Sequence, residues 1–509
     1  MTTTAPPENE AAAGARPAKR RRLGARDLLE ANLDAGSWVS WDRPLTAADY
    51  PGADDAYLAE LAAAAEKAGT DESVITGRGR IRGHDVALVV GEFRFLGGSI
   101  GRAAGERIVS AVRRATAERL PLIAATASGG TRMQEGTPAF VRMVDISRAV
   151  VDHKAAALPY LVYLRHPTTG GVFASWGSLG HVSVAEPGAL IGFLGPVVYE
   201  ALQGKPFPQG VQVAENLVRR GIVDAVVEND DLAEVAARSL ALLKDRLGGL
   251  DDVPASRAVA ARDAEGTPGV AADAWSAIEL TRRPDRPGVR DLLRHTAADV
   301  VPLNGTQAGE SEEALLTVLA SLGGTTCVVL GQDRRAQMAD RPLGPAALRS
   351  ARRGMQIAQQ LHKPLVCVID TPGADLSADA EEGALASEIA RCLADMVQLT
   401  VPTVSVLLGE GCGGGALALL PARRVVAAGN AWLSPLPPEG ASTILFRTPD
   451  RAPEMARRQQ VRAVDLAEAG VVHAVVPEEV PAHEDPVGFC RAITDEVRAQ
   501  IAAQVLGGR

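Results

Sequence analysis

The sequence predicts an α/β fold built twice over, as two related halves that each form a mostly parallel sheet covered by helices. Three observations predict it. One strand-and-turn pattern recurs in order along the chain, its strands are apolar throughout, and amphipathic helical stretches lie between them.

The recurrence is visible at three places. Pro121 to Gly130 (PLIAATASGG) matches Pro364 to Gly373 (PLVCVIDTPG), each a proline, an apolar strand and a glycine turn. Leu158 to Leu164 leads to Gly170-Gly171, as Val401 to Leu408 leads to Gly414-Gly415. The prolines of this second pair are 243 positions apart (159 and 402) and the glycines 244 (170 and 414), which predicts one inserted residue in the loop. Ala214 to Val227 matches Ala463 to Val476. Helical periodicity covers Gly105 to Glu118, Arg349 to Leu361 and Ala386 to Leu399. The halves are expected at 25–247 and 276–509. Residues 248–275, rich in Gly, Asp, Ala and Pro, read as a linker, and 1–24 as a disordered tail.

Composition narrows the function. The 509 residues are 46% hydrophobic and 23% charged, as in a water-soluble globular protein with two or three domains. A net charge of −9 argues against a general nucleic-acid binder, and the basic run Lys19 to Arg22 lies in the tail. No stretch approaches the roughly 20 apolar residues of a membrane span, and no apolar signal segment opens the chain. Five cysteines, Cys327, Cys367, Cys392, Cys412 and Cys490, show no CxxC spacing, which fits a reduced cytoplasm rather than a disulfide or zinc framework. The histidines show no metal-binding spacing, so no metal is expected.

The glycine turns carry the candidate chemistry. Gly170-Gly171 and Gly414-Gly415 each follow a buried strand, and each is expected to open a helix. Glycine lets a ligand approach the main chain, and N–H groups at a helix start attract negative charge. Aimed at a carbonyl oxygen that becomes an enolate, such donors form an oxyanion hole, worth about 3–4 kcal/mol per donor. Tight helix–strand packing without a ligand is the structural alternative. Gly129-Gly130 and Gly373-Ala374 end neighbouring strands, where open α/β sheets bind ligands. Arg132 either pairs with a phosphate of a nucleotide-like substrate or is a surface arginine.

At these residues the chain resembles the carboxyltransferases of acyl-CoA carboxylases, within the crotonase superfamily. The first half is similar to the β subunit of the bacterial enzyme through Phe95–Gly101, Ala127–Gly136, Pro167–Ser175 and Ala185–Phe193. The second is similar to the α subunit through Arg282–Pro287, Asp370–Ala374, Ala380–Glu382, Gly409–Ala418 and Pro438–Gly440. The resemblance implies two tandem crotonase-like (ββα spiral) domains in a natural β–α fusion. It implies transfer of the carboxyl group of carboxybiotin to acetyl-CoA, giving malonyl-CoA for fatty acid biosynthesis. It also implies that Gly170-Gly171 and Gly414-Gly415 hold the thioester enolate and the biotin ureido oxygen. No biotinylation site or P-loop is present, so biotin would come on a separate carrier protein charged by a biotin carboxylase. The family's site lies between two protomers, so at least a homodimer is expected.

The chain departs from the family's pattern in four places. No cysteine precedes Cys327, so the β subunit's zinc ribbon is missing. Asn304-Gly305-Thr306-Gln307 stands where His-Gly-Asp-Arg is usual, Asp375 to Asp379 replaces Tyr-Pro-Gly-Ile-Gly, and Gly180-His181 replaces Gly-Asp. The competing readings are a biotin-independent decarboxylase of a malonyl thioester and an inactive carboxylase scaffold. Glu135 and Glu410 as a hydratase pair, or Ser175 with His181 as a hydrolase, are weaker, since no GxSxG elbow surrounds Ser175.

Overall fold

The computed structural model describes residues 22–244, 253, 256–260 and 263–507. The first half forms strands β1 (Val39–Ser40), β2 (Val74–Ile81), β3 (His84–Gly91), β4 (Leu122–Ser128), β5 (Tyr160–Thr169), β6 (Val182–Ala185), β7 (Ile191–Gly192) and β8 (Ala225–Val226). The second forms β9 (Val259–Ala260), β10 (Ala297–Pro302), β11 (Leu315–Leu322), β12 (Thr325–Gln332), β13 (Leu365–Thr371), β14 (Thr403–Cys412), β15 (Arg424–Ala428), β16 (Trp432–Ser434) and β17 (Ala474–Val476).

The two sheets share one topology. The first runs β1-β2-β3-β4-β5-β6-β8 with β7 on β5, and the second β10-β11-β12-β13-β14-β15-β17 with β16 on β14. In both, the opening strands pair antiparallel and the pairs from β3–β4 to β8, or β12–β13 to β17, are parallel, the second sheet adding one further antiparallel edge strand, β9. The central strands β4, β5, β13 and β14 are buried almost throughout, which is why they read as unbroken apolar runs rather than alternating ones. The predicted helices appear as Arg102–Ala117, Pro345–Leu361 and Leu385–Gln398.

The register corrects the expected loop insertion. β4 and β13 start at 122 and 365, β5 and β14 at 160 and 403, and both pairs are equal in length. Thr169 pairs with Gly192 as Cys412 pairs with Ser434, and the next residues, Gly170 and Gly413, share φ values of 63° and 61°. The offset is therefore 243 through the turn. Gly171 corresponds to Gly414, and Gly415 to Val172.

The stretch expected as a linker is partly built into the second sheet. β9 pairs antiparallel with β17 at its edge, and the Gly269 carbonyl accepts from Glu478 N–H at 2.8 Å. Residues 245–252, 254–255 and 261–262 lie outside the described residues, as does the tail to position 21. Arg22, the last of the basic run, pairs with Glu186 at 2.9 Å.

The halves share a core. One apolar cluster runs from Leu28, Val182 and Leu240 in the first half to Val318, Val329 and Val406 in the second. The seam between them also holds a buried charge pair. Arg353 meets both oxygens of Asp224, at 2.9 and 3.1 Å, and donates to the carbonyls of His181, Asn304 and Gly305. Asp224 further accepts from the N–H groups of Ser183 and Asn304. Gly305 passes so close to Gly221 that a Cβ on it would lie 2.4 Å from the Gly221 Cα.

Removing one member of such a pair leaves the other charge buried without compensation, a cost of about 3–5 kcal/mol. Asp224→Ala is expected to destabilise the fold by that order in chemical denaturation. A loss below about 1 kcal/mol would show that the seam does not depend on the pair.

Candidate functional site

The four glycine turns come together in two pairs, one per half. A Cβ on Gly130 would lie 3.4 Å from Gly170 Cα and 3.6 Å from Gly171 N. A Cβ on Gly415 would lie 3.2 Å from Ala374 N and 3.4 Å from the Gly373 carbonyl carbon. The neighbours of each turn come from its own half.

The first member of each pair is the same turn made twice. Gly130 and Gly373 take φ values of 111° and 138°, a region that strongly favours glycine. Two residues earlier a hydroxyl accepts the glycine N–H, Ser128 Oγ at 3.0 Å and Thr371 Oγ1 at 3.1 Å. The turn then bridges to the loop before the helix Arg102–Ala117 or Pro345–Leu361, Thr131 to Ile100 in one half and Ala374 to Leu343 in the other. The N–H of Gly129 goes to the Gly97 carbonyl at 2.8 Å. Gly129, Gly130 and Gly373 thus spend their donors on holding the turn.

The donors left over belong to the next residues. Gly170 N–H is bonded to the Phe193 carbonyl at 2.9 Å, whereas those of Thr131, Gly171 and Ala374 have no acceptor among the described residues. Gly414 and Gly415 lie in the first turn of the helix Gly413–Leu417, whose N–H groups have no intrahelical acceptor and which has no side-chain cap. Each half therefore presents main-chain donors from two adjoining strands. Thr131 was not among the residues singled out in the sequence, because a threonine after a glycine turn carries no compositional signal.

Two expectations change. The turn after β5 does not open an α-helix: Gly170 to Ser175 form turns leading to a 3-10 segment, Trp176–Ser178. The second helix has five residues. The donors act as individual hydrogen bonds rather than through a helix dipole, which needs several aligned turns. Arg132 is neither a phosphate ligand nor a surface residue. Its side chain is fully buried, pairs with the buried Glu72, donates to the Ser99 carbonyl at 2.8 Å and lies over the Phe95 ring. A guanidinium so enclosed anchors the loop beneath Gly130.

The residues of the weaker readings are committed elsewhere. Glu135 accepts from Tyr57 Oη at 2.7 Å and from Arg102 N–H at 2.6 Å. Glu410 is held by Arg282 at 3.2 Å, and burial raises its pKa against that charge. Ser175 Oγ donates to the Gly171 carbonyl, while His181 is buried and its Nδ1 accepts from Tyr160 N–H. No hydrolytic pair forms. All five cysteines are buried and free.

Behind the second turn, Asp370 is buried at the end of β13. One carboxylate oxygen accepts from Glu410 N–H at 3.1 Å, and the other has no hydrogen-bond partner among the described residues. Burial pushes its pKa from the ordinary 3.8 up to about 6, against the opposing pull of Arg334. The folded state thus binds the proton more tightly than the unfolded chain, so this contribution to stability is full below about pH 4 and is lost as pH rises through about 6. Between those values wild-type stability is expected to fall by roughly 2–3 kcal/mol relative to Asp370→Asn. Parallel stability–pH curves for the two proteins would show that Asp370 does not titrate in this range.

The carboxyl transferase domain family model matches residues 23–503. The chain is 55% identical over 484 residues to a probable biotin-dependent acyl-coenzyme A carboxylase beta3 subunit of Mycobacterium tuberculosis, covering 95% of this chain and 94% of the relative. It is 37% identical to the acetyl-coenzyme A carboxylase carboxyl transferase subunits beta/alpha of Saccharopolyspora erythraea, covering 95% and 86%. Among solved structures, transcarboxylase 12S shares its fold at a TM-score of 0.72 and 21% identity, covering 96% of this chain and 90% of that one. The duplicated sheets, their paired turns and these matches agree: the chain belongs to the carboxyl transferase domain family.

Proposed function

We propose that this chain is the carboxyltransferase of an acyl-CoA carboxylase and that it converts acetyl-CoA to malonyl-CoA. The observation that carries this reading is the repeated main-chain donor pair, Thr131 with Gly171 and Ala374 with Gly414-Gly415. Two separated holes suit a reaction that develops negative charge on two oxygens.

In that reaction the N–CO2 bond of carboxybiotin breaks, leaving CO2 and a biotin ureido anion. The anion takes a proton from the α-carbon of the thioester, and the enolate carbon bonds to CO2. Negative charge passes through the ureido oxygen and the thioester oxygen. Preorganised N–H donors stabilise such charge without reorganising. No side-chain base is needed, in keeping with Glu135, Glu410 and His181 committed to structural bonds. Biotin would arrive on a carrier protein charged by a biotin carboxylase, as the name of the mycobacterial relative suggests. Gly129, Gly130, Gly373 and Ala374 would line the substrate path by holding the donor turns open.

The mouths of both turns are apolar and exposed. Phe193, whose carbonyl receives Gly170 N–H, is 70% exposed, and Leu376, two residues past Ala374, is 94% exposed. Surfaces of this kind are covered in stable assemblies. The proposal includes a homo-oligomer in which the first-half turn of one protomer faces the second-half turn of another. Cytoplasmic location, a first domain at 25–247 with a second that takes in β9 as well as 276–509, and a place in fatty acid synthesis belong to the same proposal.

Purified protein with biotin carboxylase, biotinylated carrier, ATP, bicarbonate and acetyl-CoA is expected to form malonyl-CoA. A shift of turnover to propionyl- or longer acyl-CoA would reassign the substrate. Loss of CO2 from malonyl-CoA without biotin, and no transfer to any acyl-CoA, would assign the chain to the decarboxylases. In the same assay Gly171→Val keeps the N–H but sets a branched side chain where the oxyanion must approach it, and is expected to lower kcat by about 10²–10³-fold, as much as losing one such donor. A Cβ there meets Met143 and Thr131 at ordinary contact distances of 3.4 Å, so Gly171→Ala is expected to keep the fold, and thermal denaturation of both variants separates lost chemistry from lost structure. Full activity of Gly171→Val would remove Gly171 from the mechanism.

A further inference from the structure

The second donor pair has a brace that the first lacks. Gln332, the last residue of β12, is fully buried. Its Nε2 donates to the Gly415 carbonyl at 2.7 Å, and its Oε1 accepts from Asp370 N–H at 3.1 Å. Only one orientation of the carboxamide satisfies both partners, because a carbonyl needs a donor and an N–H an acceptor.

The need for this contact follows from the short helix. Ala418 N–H bonds to the Gly414 carbonyl, but Leu419 N–H turns to Ala416, so the Gly415 carbonyl receives no backbone donor at the helix end. A buried carbonyl left open is costly, and its peptide can rotate. Gln332 fills that place. Because the same side chain holds Asp370, four residues before Ala374, one planar amide fixes the strand turn and the helix turn relative to each other. The spacing of the Ala374 and Gly414-Gly415 donors rests on it.

The first half solves the same problem without a side chain. Ala87 pairs with Leu122 as Val328 pairs with Leu365, so the residue corresponding to Gln332 is Gly91. A Cβ on Gly91 would lie 2.7 Å from Ala127 N, which leaves no room for a side chain. There the carbonyl of Val172, the counterpart of Gly415, accepts Gly177 N–H at 2.9 Å from the continuing turn. A neighbouring amide strengthens the brace on the second side only. Gln337 Oε1 accepts from Thr371 Oγ1 at 2.6 Å, and Thr371 in turn holds Gly373.

We propose that Gln332 is a positioning residue for the carboxyl-transfer reaction, setting the geometry of the second oxyanion hole through the Gly415 peptide. This rests on the carboxyltransferase reading above. Gln332→Met removes both the donor to Gly415 and the acceptor for Asp370 N–H, while Gln332→Glu keeps the acceptor and loses the donor only when its carboxyl is ionised, so its rate is read at a pH above that ionisation.

Misplacement of donors by about 1 Å costs on the order of 10²-fold in rate. In the reconstituted assay both variants are expected to lose roughly that much kcat, with KM for acyl-CoA changed by less than about threefold. Hydrogen exchange, read without any substrate, is expected to quicken in the peptide covering 410–417 and to stay unchanged in that covering 168–175. Wild-type kcat in both variants, or unchanged exchange at 410–417, would overturn the proposal. So would a uniform rise in exchange across both halves with KM and kcat falling together, the mark of a merely structural role. If the wild-type protein transfers no carboxyl group to any acyl-CoA, the function assigned above fails, and the exchange comparison alone decides whether Gln332 orders this turn.

Discussion

The contact on which the site depends is the close approach of two backbones at the ends of adjacent parallel strands. In each half the turn after one strand presses against the turn after the next, Gly130 on Gly170 and Gly373-Ala374 on Gly415. Side chains at these positions would hold the strand ends apart, so the glycines serve first as spacing. That spacing turns unbonded N–H groups from two strands toward one region. In the proposed reading the chemistry is carried by peptide groups whose orientation the sheet fixes, while charged side chains such as Arg132, Glu135 and Glu410 brace the loops around them.

The halves reach the same geometry by different bracing. In the first, the buried Arg132–Glu72 pair ties the loop after β4 to the segment before β2, while Arg132 on the Ser99 carbonyl and Glu135 on Arg102 N–H tie it to the start of the helix Arg102–Ala117. In the second, neutral carboxamides at Gln332 and Gln337 do so. A buried ion pair gives strong but desolvation-limited anchoring, whereas an amide satisfies a donor and an acceptor together without placing charge beside the hole. A fixed charge close to an oxyanion would alter its proton affinity, and behind the second turn the carboxylates Asp370 and Glu410 lie among the guanidiniums of Arg334, Arg286 and Arg282, which offset them.

Much of this was legible in the sequence because backbone constraints leave compositional marks. The strands β4, β5, β13 and β14 stand out as apolar runs, and the glycines at 130, 170, 373 and 413 mark positive φ at equivalent places. What escaped was anything set by partners distant in sequence. The single-residue slip between Gly170 and Gly414 arose because the second turn has three glycines in a row, and only the pairing of β14 with β16 fixes which one matches. Arg132 looks like a surface cation until Glu72, sixty positions earlier, is placed against it. Gln332 at the end of an apolar strand is silent for the same reason. Val259–Ala260, a short apolar pair between alanines, becomes a strand because β17 offers it an edge.

The departures from the family's pattern sort by where they lie. Gly180-His181 and Asn304 to Gln307 are more than a hundred positions apart, yet they meet in the seam between the halves. Gln307 Nε2 reaches the Gly180 carbonyl, Gln307 N–H bonds to Gly221, and Arg353 joins the carbonyls of His181 and Asn304 to Asp224. Substitutions that contact one another across a buried seam are packed as a set, since each must satisfy polar groups the other exposes. They bear on how the halves are joined rather than on what the turns bind. The stretch Asp375 to Asp379 differs in kind. It follows Ala374 directly, carries the exposed Leu376, and is held by Asp375 N–H on the Leu343 carbonyl at 2.9 Å. Of the departures within the described residues, this one directly borders a donor turn.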